Sequence, residues 1–406
     1  MEENLLEKLG KKHPQALIAG GASYLGVVLS KTLLDKGFKV LVLDDFSTEE
    51  SEEFKKLCSQ RRFKFRTVDV SKELPKDLGP IDFIFHLARL ESHARDEKDT
   101  ALSSLLTNAW GTKNLLELAR KTKARFLLAS TIDVYQSAWP FLSRISYGGA
   151  TSEEEKMYSL SEAKRFAEAL VWEYSKRFHL NVRIVRLADV YGPGVALGSC
   201  GTLGMFLEQV LSGEDLLVYG EGLGKEYYLY IDDAISGILE AMVSPQTSGG
   251  IFPLAPKKPI TVLELAYLVK SLAPPRMKIV FHPGLETLEI PEFKILDEGP
   301  LRDFSWNPEI TLPEGLGRVL KKLREGRALK RLAAPVSKRK KETSKPHLLT
   351  LLEKISFKNI SSRRLGFAGS LVAVALILFC PFFYSLTLEF SGEKEFQKAQ
   401  SYLSSS

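Results

Sequence analysis

The chain has few of the residues that cross-link small domains or bind metals in them. Its 406 residues include only three cysteines, Cys58, Cys200 and Cys380. Three cysteines at these separations make no disulfide framework and no metal-ligand spacing. We therefore expect a reducing compartment and no bound metal. The first fifteen residues also lack an apolar stretch between their charges, which excludes a secretory signal peptide.

A general excess of charge is missing as well. The net charge is +6, but residues 331–365 alone hold ten Lys/Arg against two Glu, a local balance of +8. The rest of the chain therefore carries about −2. This near-neutral balance gives no electrostatic case for nucleic-acid binding by the globular part. We interpret the basic segment, 331–364, as a juxtamembrane linker.

One long uncharged run does occur, near the C-terminus. Gly366 to Leu388 are 23 residues without charge. As a helix they would extend about 34 Å, enough to cross a ~30 Å hydrocarbon core. We predict a transmembrane helix over 365–388, followed by a short polar tail, 389–406. Basic residues flank the run on its N-terminal side, so the positive-inside rule predicts a single-pass membrane protein with a cytoplasmic globular domain.

Short apolar runs alternate with amphipathic segments through the first half of the chain. This alternation predicts an α/β fold with a doubly wound, Rossmann-type parallel sheet. Gly- and Pro-rich loops from about Tyr191 onward predict a small C-terminal substrate lobe. The predicted domain spans 15–330, after an N-terminal extension, 1–14. The predicted strands are Ala16–Ala19, Val40–Leu43, Phe65–Val68, Ile81–Leu87, Phe126–Ala129 and Val182–Leu187, and the predicted helices include Leu25–Lys36, Ala101–Lys121 and Ser152–Phe178.

A glycine-rich turn, Gly20 to Gly26, follows the first predicted strand and opens a helix. Such a turn lets backbone N–H groups and the helix N-terminus approach a pyrophosphate. Ser23 stands where such a turn usually has its middle glycine, and its side chain slightly reduces the space in which the backbone can approach a pyrophosphate. Eighteen residues after Gly26 the second strand ends in Asp44 and Asp45. A carboxylate there accepts hydrogen bonds from a ribose diol and repels a 2′-phosphate, which favours NAD over NADP. The alternatives are a turn without ligand and a solvated Asp44.

A series of short segments carries a family resemblance over about residues 15–325. They include AGGASYLG (19–26), VLDDFST (42–48), FHLAR (85–89), TNAWGTKNLLELAR (107–120), RFLLASTIDVYQ (125–136), EAKRFAEAL (162–170), VRIVRLADVYGPG (182–194) and YIDDA (230–234). With these segments the chain resembles extended short-chain dehydrogenases/reductases of the NAD-dependent epimerase/dehydratase family, and most of all UDP-glucuronate decarboxylases. The resemblance implies cofactor contacts from Gly20, Ser23, Tyr24, Leu25, Gly26, Asp44 and Asp45, from Asp69 and Val70 beside the adenine, from Leu87 and Ala88 on the pyrophosphate side, and from Lys164 at the nicotinamide ribose.

The residue four positions before the predicted catalytic lysine departs from this pattern. Enzymes that the chain resembles oxidise a sugar carbon with NAD, react at the resulting ketone and usually return the hydride. Their base is a tyrosinate whose pKa is lowered by a lysine one helical turn later. Here Lys164 is present, but Leu160 stands four residues before it. Tyr158 precedes Lys164 by six residues, about 600° of helix, so it can substitute only if the helix begins late or bulges.

The motif after the fifth strand, Ser130 to Tyr135, is also altered. By the resemblance Thr131 would polarise the sugar oxygen, and Asp133 replaces a glutamate, which keeps a carboxylate on a shorter arm. Ile132 stands where a second hydroxyl is expected. The alternative for Thr131 is an ordinary strand-end hydroxyl whose hydrogen bonds are satisfied within the fold.

Two substrate positions change their charge or polarity. By the resemblance an arginine at position 226 would meet a substrate diphosphate, and here Lys225 and Glu226 occupy that loop. Glu226 reverses the charge and would oppose a dianionic ligand unless Lys225 swings in. Asp189 replaces an asparagine that contacts substrate in the family. The alternative is that loop 225–226 merely lies on the surface.

The departures from the family pattern cluster in the predicted substrate pocket, whereas the cofactor turn is better preserved. This distribution predicts either a changed substrate or lost catalysis. We predict an NAD-binding, membrane-anchored relative of nucleotide-sugar-modifying enzymes, of the UDP-glucuronate decarboxylase or UDP-sugar epimerase/dehydratase type, with a degenerate catalytic site. Its small-molecule partner would be UDP-sugar-like, and a homodimer is one option for its assembly. Two alternatives stay open: an inactive membrane-tethered scaffold in polysaccharide synthesis, and an NAD-sensing regulator.

Overall fold

Strands alternate with helices along the chain. The computed structural model describes residues 10, 12–46, 51–88, 102, 105–135, 152–273, 275–282 and 304–333, with only the backbone at 152–159, 199 and 326–333. The strands are β1 (Gln15–Ala19), β2 (Lys39–Asp44), β3 (Phe63–Thr67), β4 (Phe83–His86), β5 (Arg125–Thr131), β6 (Val182–Leu187), β7 (Asp189–Tyr191), β8 (Leu216–Tyr219), β9 (Lys225–Glu226), β10 (Tyr228–Tyr230), β11 (Ile251–Leu254), β12 (Ile260–Thr261) and β13 (Ile279–His282). The helices are α1 (Tyr24–Asp35), α2 (Glu52–Cys58), α3 (Thr112–Thr122), α4 (Ser152–Phe178), α5 (Gly201–Ser212), α6 (Ile231–Val243), α7 (Val262–Leu272) and α8 (Leu312–Ala333).

Seven of these strands form one parallel sheet in the order β3-β2-β1-β4-β5-β6-β11. This order confirms the predicted doubly wound α/β sheet. Ala19 at the end of β1 pairs with Leu43 on one side and with His86 on the other. The strand order reverses between β1 and β4, and ligands of open α/β sheets bind in the crevice at such a switch point.

Both faces of the sheet are buried, because successive residues of each strand point to opposite sides. Leu17, Ile84 and Leu128 pack on one face with residues of α3 and α4. Ile18, Phe85 and Leu127 pack on the other face with residues of α1 and α6. The short apolar runs seen in the sequence follow from this arrangement, because a strand that is buried on both faces has no solvent-exposed positions.

Two predicted elements differ from the structure. The strand predicted over Phe65–Val68 is β3, which lies at the sheet edge, and Phe65 is 43% exposed. The apolar run therefore does not mark a strand that is covered on both faces here. The helix predicted over 101–121 is interrupted by a π-helical turn at Thr107–Gly111, and α3 begins after it at Thr112. A Cβ on Gly111 would lie 3.0 Å from the Val70 side chain, so this turn packs closely on the loop after β3.

The C-terminal lobe contains α5, α7 and three short strand pairs, β7–β10, β8–β13 and β9–β12. The division near Tyr191 is not a clean one, since β11 rejoins the main sheet beside β6. The C-terminal end of α6 rests on two arginines from the sheet. Buried Arg183 donates to the Ala241 carbonyl at 2.8 Å, and Arg125 donates to the Val243 carbonyl at 2.7 Å. Burial, and next the charge of Arg125, lower the pKa of Arg183 to about 10.

Within the described residues no helix is both long and apolar enough to cross a membrane. The transmembrane helix predicted over 365–388 lies outside them, together with the tail and nearly all of the basic linker.

Candidate functional site

The glycine turn connects β1 directly to α1. Gly20 has φ +81°, and a Cβ there would lie 2.6 Å from the backbone nitrogen of Ala88. A Cβ on Gly26 would lie 2.6 Å from the Gly20 carbonyl oxygen. Glycine is required at both positions because backbone approaches backbone there. The turn therefore brings the start of α1 against Leu87 and Ala88, which follow β4 and were predicted on the pyrophosphate side.

Ser23 caps α1 and closes the turn on itself. Its hydroxyl donates to the Gly20 carbonyl at 2.7 Å and accepts from the Gly26 N–H at 3.2 Å. One of the free N–H groups at the helix start is thus satisfied inside the protein. Tyr24 and Leu25 begin the helix, so the predicted turn residues do meet at one helix N-terminus, where a pyrophosphate is favoured.

Asp44 is held at the end of β2 by two backbone donors. Its carboxylate accepts from the N–H of Ala22 in the glycine turn and from the N–H of Phe46, both at 2.9 Å. Phe46 adopts φ +52°, an unusual conformation for a bulky residue. Asp45 is exposed instead. A fixed carboxylate can accept hydrogen bonds from the ribose of NAD, and the helix N-terminus beside it favours the pyrophosphate.

The other predicted cofactor residues divide into two groups. Asp69 accepts from the N–H and hydroxyl of Ser71 at 2.9 and 2.6 Å and lies 3.3 Å from the Lys72 ammonium. Burial acts to raise the pKa of Asp69, but these partners outweigh it and the pKa is lowered. Leu87 and Val70 are buried, and the Leu87 N–H donates to the Ala19 carbonyl at 2.8 Å. Asp69 thus shapes its own loop, whereas Leu87 lies at the switch point.

Lys164 lies buried between α4 and the sheet. Its ammonium Nζ donates to the Ala129 carbonyl on β5 at 3.0 Å. The fully buried His86 lies on β4. Burial, and next the charge of Lys164, lower the pKa of His86 to about 3, so its imidazole is neutral near pH 7. His86 Nε2 lies 3.0 Å from the Thr112 hydroxyl. His86 was not among the predicted site residues, although a histidine within an apolar strand is visible in the sequence.

Thr131 and Asp133 lie together at the end of β5. The Thr131 hydroxyl donates to the Asp133 carboxylate at 2.7 Å, and the Asp133 N–H donates back to the hydroxyl oxygen at 3.2 Å. Both residues are half-buried. The hydroxyl proton is thus directed at Asp133, so the Thr131 oxygen faces a ligand as an acceptor.

The helix that carries Lys164 is continuous from Ser152 to Phe178. It begins six residues before Tyr158 and contains no bulge, so positions 158 and 164 remain about 600° apart. The side chain of Tyr158 lies outside the described residues. Leu160, one turn before Lys164, is half-buried. The described helix therefore places an alkyl side chain where an acid–base group would be needed.

Glu226 lies inside the lobe rather than on a loose loop. Its carboxylate accepts from the Thr202 hydroxyl at 2.6 Å and from the Tyr228 hydroxyl. Tyr228 in turn accepts from the Leu203 N–H at 3.2 Å. Burial, and next the charge of Glu226, raise the pKa of Tyr228, so this phenol stays protonated and remains a donor.

The remaining substrate candidates surround this group. Asp189 is exposed on β7, and its backbone lies opposite Tyr228 of the neighbouring strand β10. Lys225 precedes Glu226 on β9 and is half-buried. Residues 189, 225 and 226 therefore belong to one wall of the lobe, which carries two carboxylates and one ammonium.

An ion pair that was not predicted from the sequence lies near Lys164. Arg186 on β6 donates through Nε and Nη2 to the two carboxylate oxygens of Glu168, at 3.0 and 2.6 Å. Glu168 lies one turn after Lys164 on α4, so the pair fixes that turn against the sheet. The described residues contain no group of three or more His, Cys, Asp or Glu side chains able to hold a metal ion.

Comparisons with known proteins agree with this geometry. The model of a family described as NAD dependent epimerase/dehydratase matches residues 16–255. UDP-glucuronic acid decarboxylase 1 of Arabidopsis thaliana is 31% identical over 317 residues, which cover 78% of this chain and 71% of the relative. UDP-glucuronic acid decarboxylase 1 of Danio rerio is 30% identical over 311 residues, which cover 76% and 72%.

Solved structures share the fold. A dTDP-glucose 4,6-dehydratase from Streptomyces venezuelae, with NAD bound, has a TM-score of 0.63 at 22% identity and covers 78% of this chain and 98% of its own. A UDP-glucose 4-epimerase from Thermotoga maritima, with UDP-glucose bound, has a TM-score of 0.61 at 23% identity and covers 77% and 99%.

Proposed function

The chain belongs to the NAD-dependent epimerase/dehydratase family, and on this premise we propose that it is an NAD-binding, membrane-anchored nucleotide-sugar enzyme relative with a degenerate catalytic site. One observation carries the proposal. Lys164 is buried with its ammonium 3.0 Å from the Ala129 carbonyl, while the position four residues before it, on the same helix face, is occupied by Leu160. Among the described residues, those that would orient a cofactor are in place, whereas position 160 holds a side chain that cannot transfer a proton.

The cofactor half of the site has what NAD requires. NAD, when bound, supplies the hydride acceptor. The turn from Gly20 to Gly26 would hold its pyrophosphate, and Asp44 would accept hydrogen bonds from its adenosine ribose. Lys164 would orient the nicotinamide ribose, with His86 kept neutral beneath it. None of these roles depends on residue 160.

The substrate half lacks a comparable set. The Thr131 oxygen would accept a hydrogen bond from a sugar hydroxyl, because its own proton is directed to Asp133. A base must still remove a proton from that sugar, and a positioned acid–base group contributes about 10²–10⁴-fold. Leu160 has no proton to exchange. We therefore expect slow chemistry at most on a UDP-sugar.

We place the protein at a membrane through residues 365–388, with its globular domain in the cytoplasm. The uncharged run and the basic residues before it support this assignment. We also propose a homodimer. Leu106, Trp110 and Phe166 are 44%, 50% and 52% exposed in the regions of α3 and α4, which meet where Tyr174 donates to Glu117. A second copy offering the same face would cover these side chains in a two-fold contact.

An inactive scaffold is the second candidate, and Leu160 favours it as well. The two candidates differ in what a repaired site does. Turnover of UDP-glucuronate by the full-length protein in detergent, beside its Leu160→Tyr variant, is the deciding experiment. Turnover by the repaired site supports an enzyme relative that lost one group, whereas silence of both Leu160→Tyr and the double variant Leu160→Tyr/Glu226→Arg supports the scaffold.

A further inference from the structure

The turn that carries Asp133 is attached to α4 by an arginine side chain. Thr131 ends β5, and a short 3-10 turn, Ile132–Tyr135, follows it. So short a turn leaves its last carbonyl groups without donors of its own. The Val134 carbonyl finds donors on α4, where the Arg165 guanidinium donates to it through Nε at 3.2 Å and through Nη2 at 3.0 Å.

Arg165 follows Lys164 directly, and these two cations hold carbonyl groups on either side of Thr131. Lys164 donates to the carbonyl of Ala129, which precedes Thr131 on β5. Arg165 donates to the carbonyl of Val134, which follows Thr131 in the turn. The hydroxyl–carboxylate pair that begins at Thr131 therefore lies between two points of attachment. Because α4 is one continuous helix, these two points keep a fixed separation.

A second arginine adds to the attachment. The Arg186 guanidinium lies over the Tyr135 ring, with 4.6 Å between its central carbon and the ring centroid. The same guanidinium donates through Nε and Nη2 to Glu168 of α4. The last two residues of the turn are therefore both connected to α4, one directly and one through this ion pair.

The alternative is that Arg165 serves only an ion pair along α4. Its Nη1 does donate to Glu162, which lies three residues earlier on the helix. Such a pair between neighbouring helical turns contributes little to stability and needs no contact outside the helix. Nε and Nη2 instead leave the helix and converge on the Val134 oxygen. Glu162 thus steadies a guanidinium whose other two nitrogens are directed at the turn.

We propose that Arg165 is a positioning residue, which keeps the Thr131–Asp133 pair at a fixed distance from Lys164. The proposal rests on the proposed function, because it connects the substrate side and the cofactor side of the same site. Thr131 would accept a hydrogen bond from a sugar hydroxyl, and Lys164 would orient the nicotinamide ribose. Their separation therefore sets how a sugar carbon meets the cofactor, and a misplacement of about 1 Å can cost about 10²-fold in rate. Arg165 acts through the turn.

The test is hydrogen–deuterium exchange of the turn, measured by mass spectrometry on the full-length protein in detergent. The Asp133 N–H is the informative amide, because it donates to the Thr131 hydroxyl oxygen and so reports on the pair. Arg165→Met removes the donors, and exchange of peptides that cover 131–135 should become at least about tenfold faster. Arg165→Lys keeps a cationic donor on a flexible side chain and should restore part of the protection.

Arg120→Met is the matched control. Arg120 also donates through Nε and Nη2, but to Glu117 on the same helix, α3. Its loss should change exchange of the turn less than about twofold. NAD binding is measured by calorimetry on the same samples. Arg165→Met should bind NAD within about threefold of the unmodified protein, since the glycine turn and Lys164 are unchanged.

Any one of three results would overturn the proposal: unchanged exchange of the turn in a folded Arg165→Met protein, no restoration by Arg165→Lys, or equally faster exchange throughout the sheet. The last result would show a merely structural role. Should Arg165→Met fail to fold, Arg165→Gln replaces it under the same criteria. Absence of NAD binding by the unmodified protein contradicts the proposed function, whereas exchange of the turn decides the positioning role by itself.

Discussion

Arg186 and Glu168 form a two-pronged ion pair that joins β6 to the turn of α4 after Lys164. Their side chains are 19% and 9% exposed, so the pair is largely withdrawn from water. Removing one partner of such a pair leaves an uncompensated charge, which costs far more than the loss of a surface pair.

Glu168→Gln should therefore lower the free energy of unfolding by about 3–5 kcal/mol, because Arg186 stays buried without its counter-charge. Chemical denaturation followed by tryptophan fluorescence measures this. Asp77→Asn is the matched control: it breaks the exposed ion pair with Arg66 and should cost about 1 kcal/mol or less. The double variant Glu168→Leu/Arg186→Met should be more stable than Glu168→Gln. Equal losses at positions 168 and 77 would contradict the prediction.

Leu160→Tyr should raise turnover of UDP-glucuronate at least about tenfold, since it places a phenol one turn from the Lys164 ammonium. Leu160→Phe, which adds the ring without the hydroxyl, should give no gain. Product formation in the presence of NAD is the measurement. A rate of about 1 s⁻¹ or more from the unmodified protein would contradict the degenerate site, and Tyr158→Phe would then test the next candidate base.

Asp44→Ala should weaken NAD binding at least about tenfold, because a hydrogen-bonded carboxylate contributes about 1.5–3 kcal/mol. Discrimination against NADP should fall with it, as the charge that repels a 2′-phosphate is removed. Asp45→Ala serves as the control, since that neighbouring carboxylate is exposed. Calorimetry with both cofactors decides the matter. Tighter binding of NADP than NAD by the unmodified protein would show the assignment to be wrong.

Acid should destabilise the fold through His86. Its pKa is about 3 in the fold and near 6.5 when unfolded, so between these values the unfolded chain binds more protons. The free energy of unfolding should therefore fall as pH falls through this window, by up to about 1.4 kcal/mol per pH unit from this group. His86→Gln should make the decline shallower between about pH 6 and pH 4. The same change at exposed His13 should not, and equal slopes in all three proteins would refute the assignment.

Removal of residues 365–406 should move the protein from the membrane fraction to the soluble fraction, because the uncharged run is its predicted anchor. Fractionation followed by immunoblotting measures this. Full-length protein that is soluble without detergent would contradict the anchor. Protease added from the cytoplasmic side should digest the globular domain of the intact protein, and protection of that domain would contradict only the orientation.

Local signals made much of the fold predictable. The glycine turn, the apolar strands and Asp44 at the end of β2 are each read from a few consecutive residues, and the family match confirms the type of fold that they indicate. The contacts of Arg186 with Glu168 and of Thr202 with Glu226 join residues 18 and 24 positions apart. The periodicity of apolar residues does not predict such contacts, because they depend on how separate helices and strands pack against each other. The edge position of β3 was missed for the same reason, since an apolar run does not show how many neighbours a strand has.

The two arginines beneath α6 limit how this protein can be divided. Arg183 is fully buried in the sheet half, yet its acceptors at Ala241 and Thr247 come from residues beyond the start of the lobe. A fragment that ends near Tyr191 would retain the guanidinium and lose those acceptors, together with the strand that covers β6. The cofactor half is therefore not a separable fragment, because its buried guanidinium depends on oxygen atoms that lie beyond the start of the lobe.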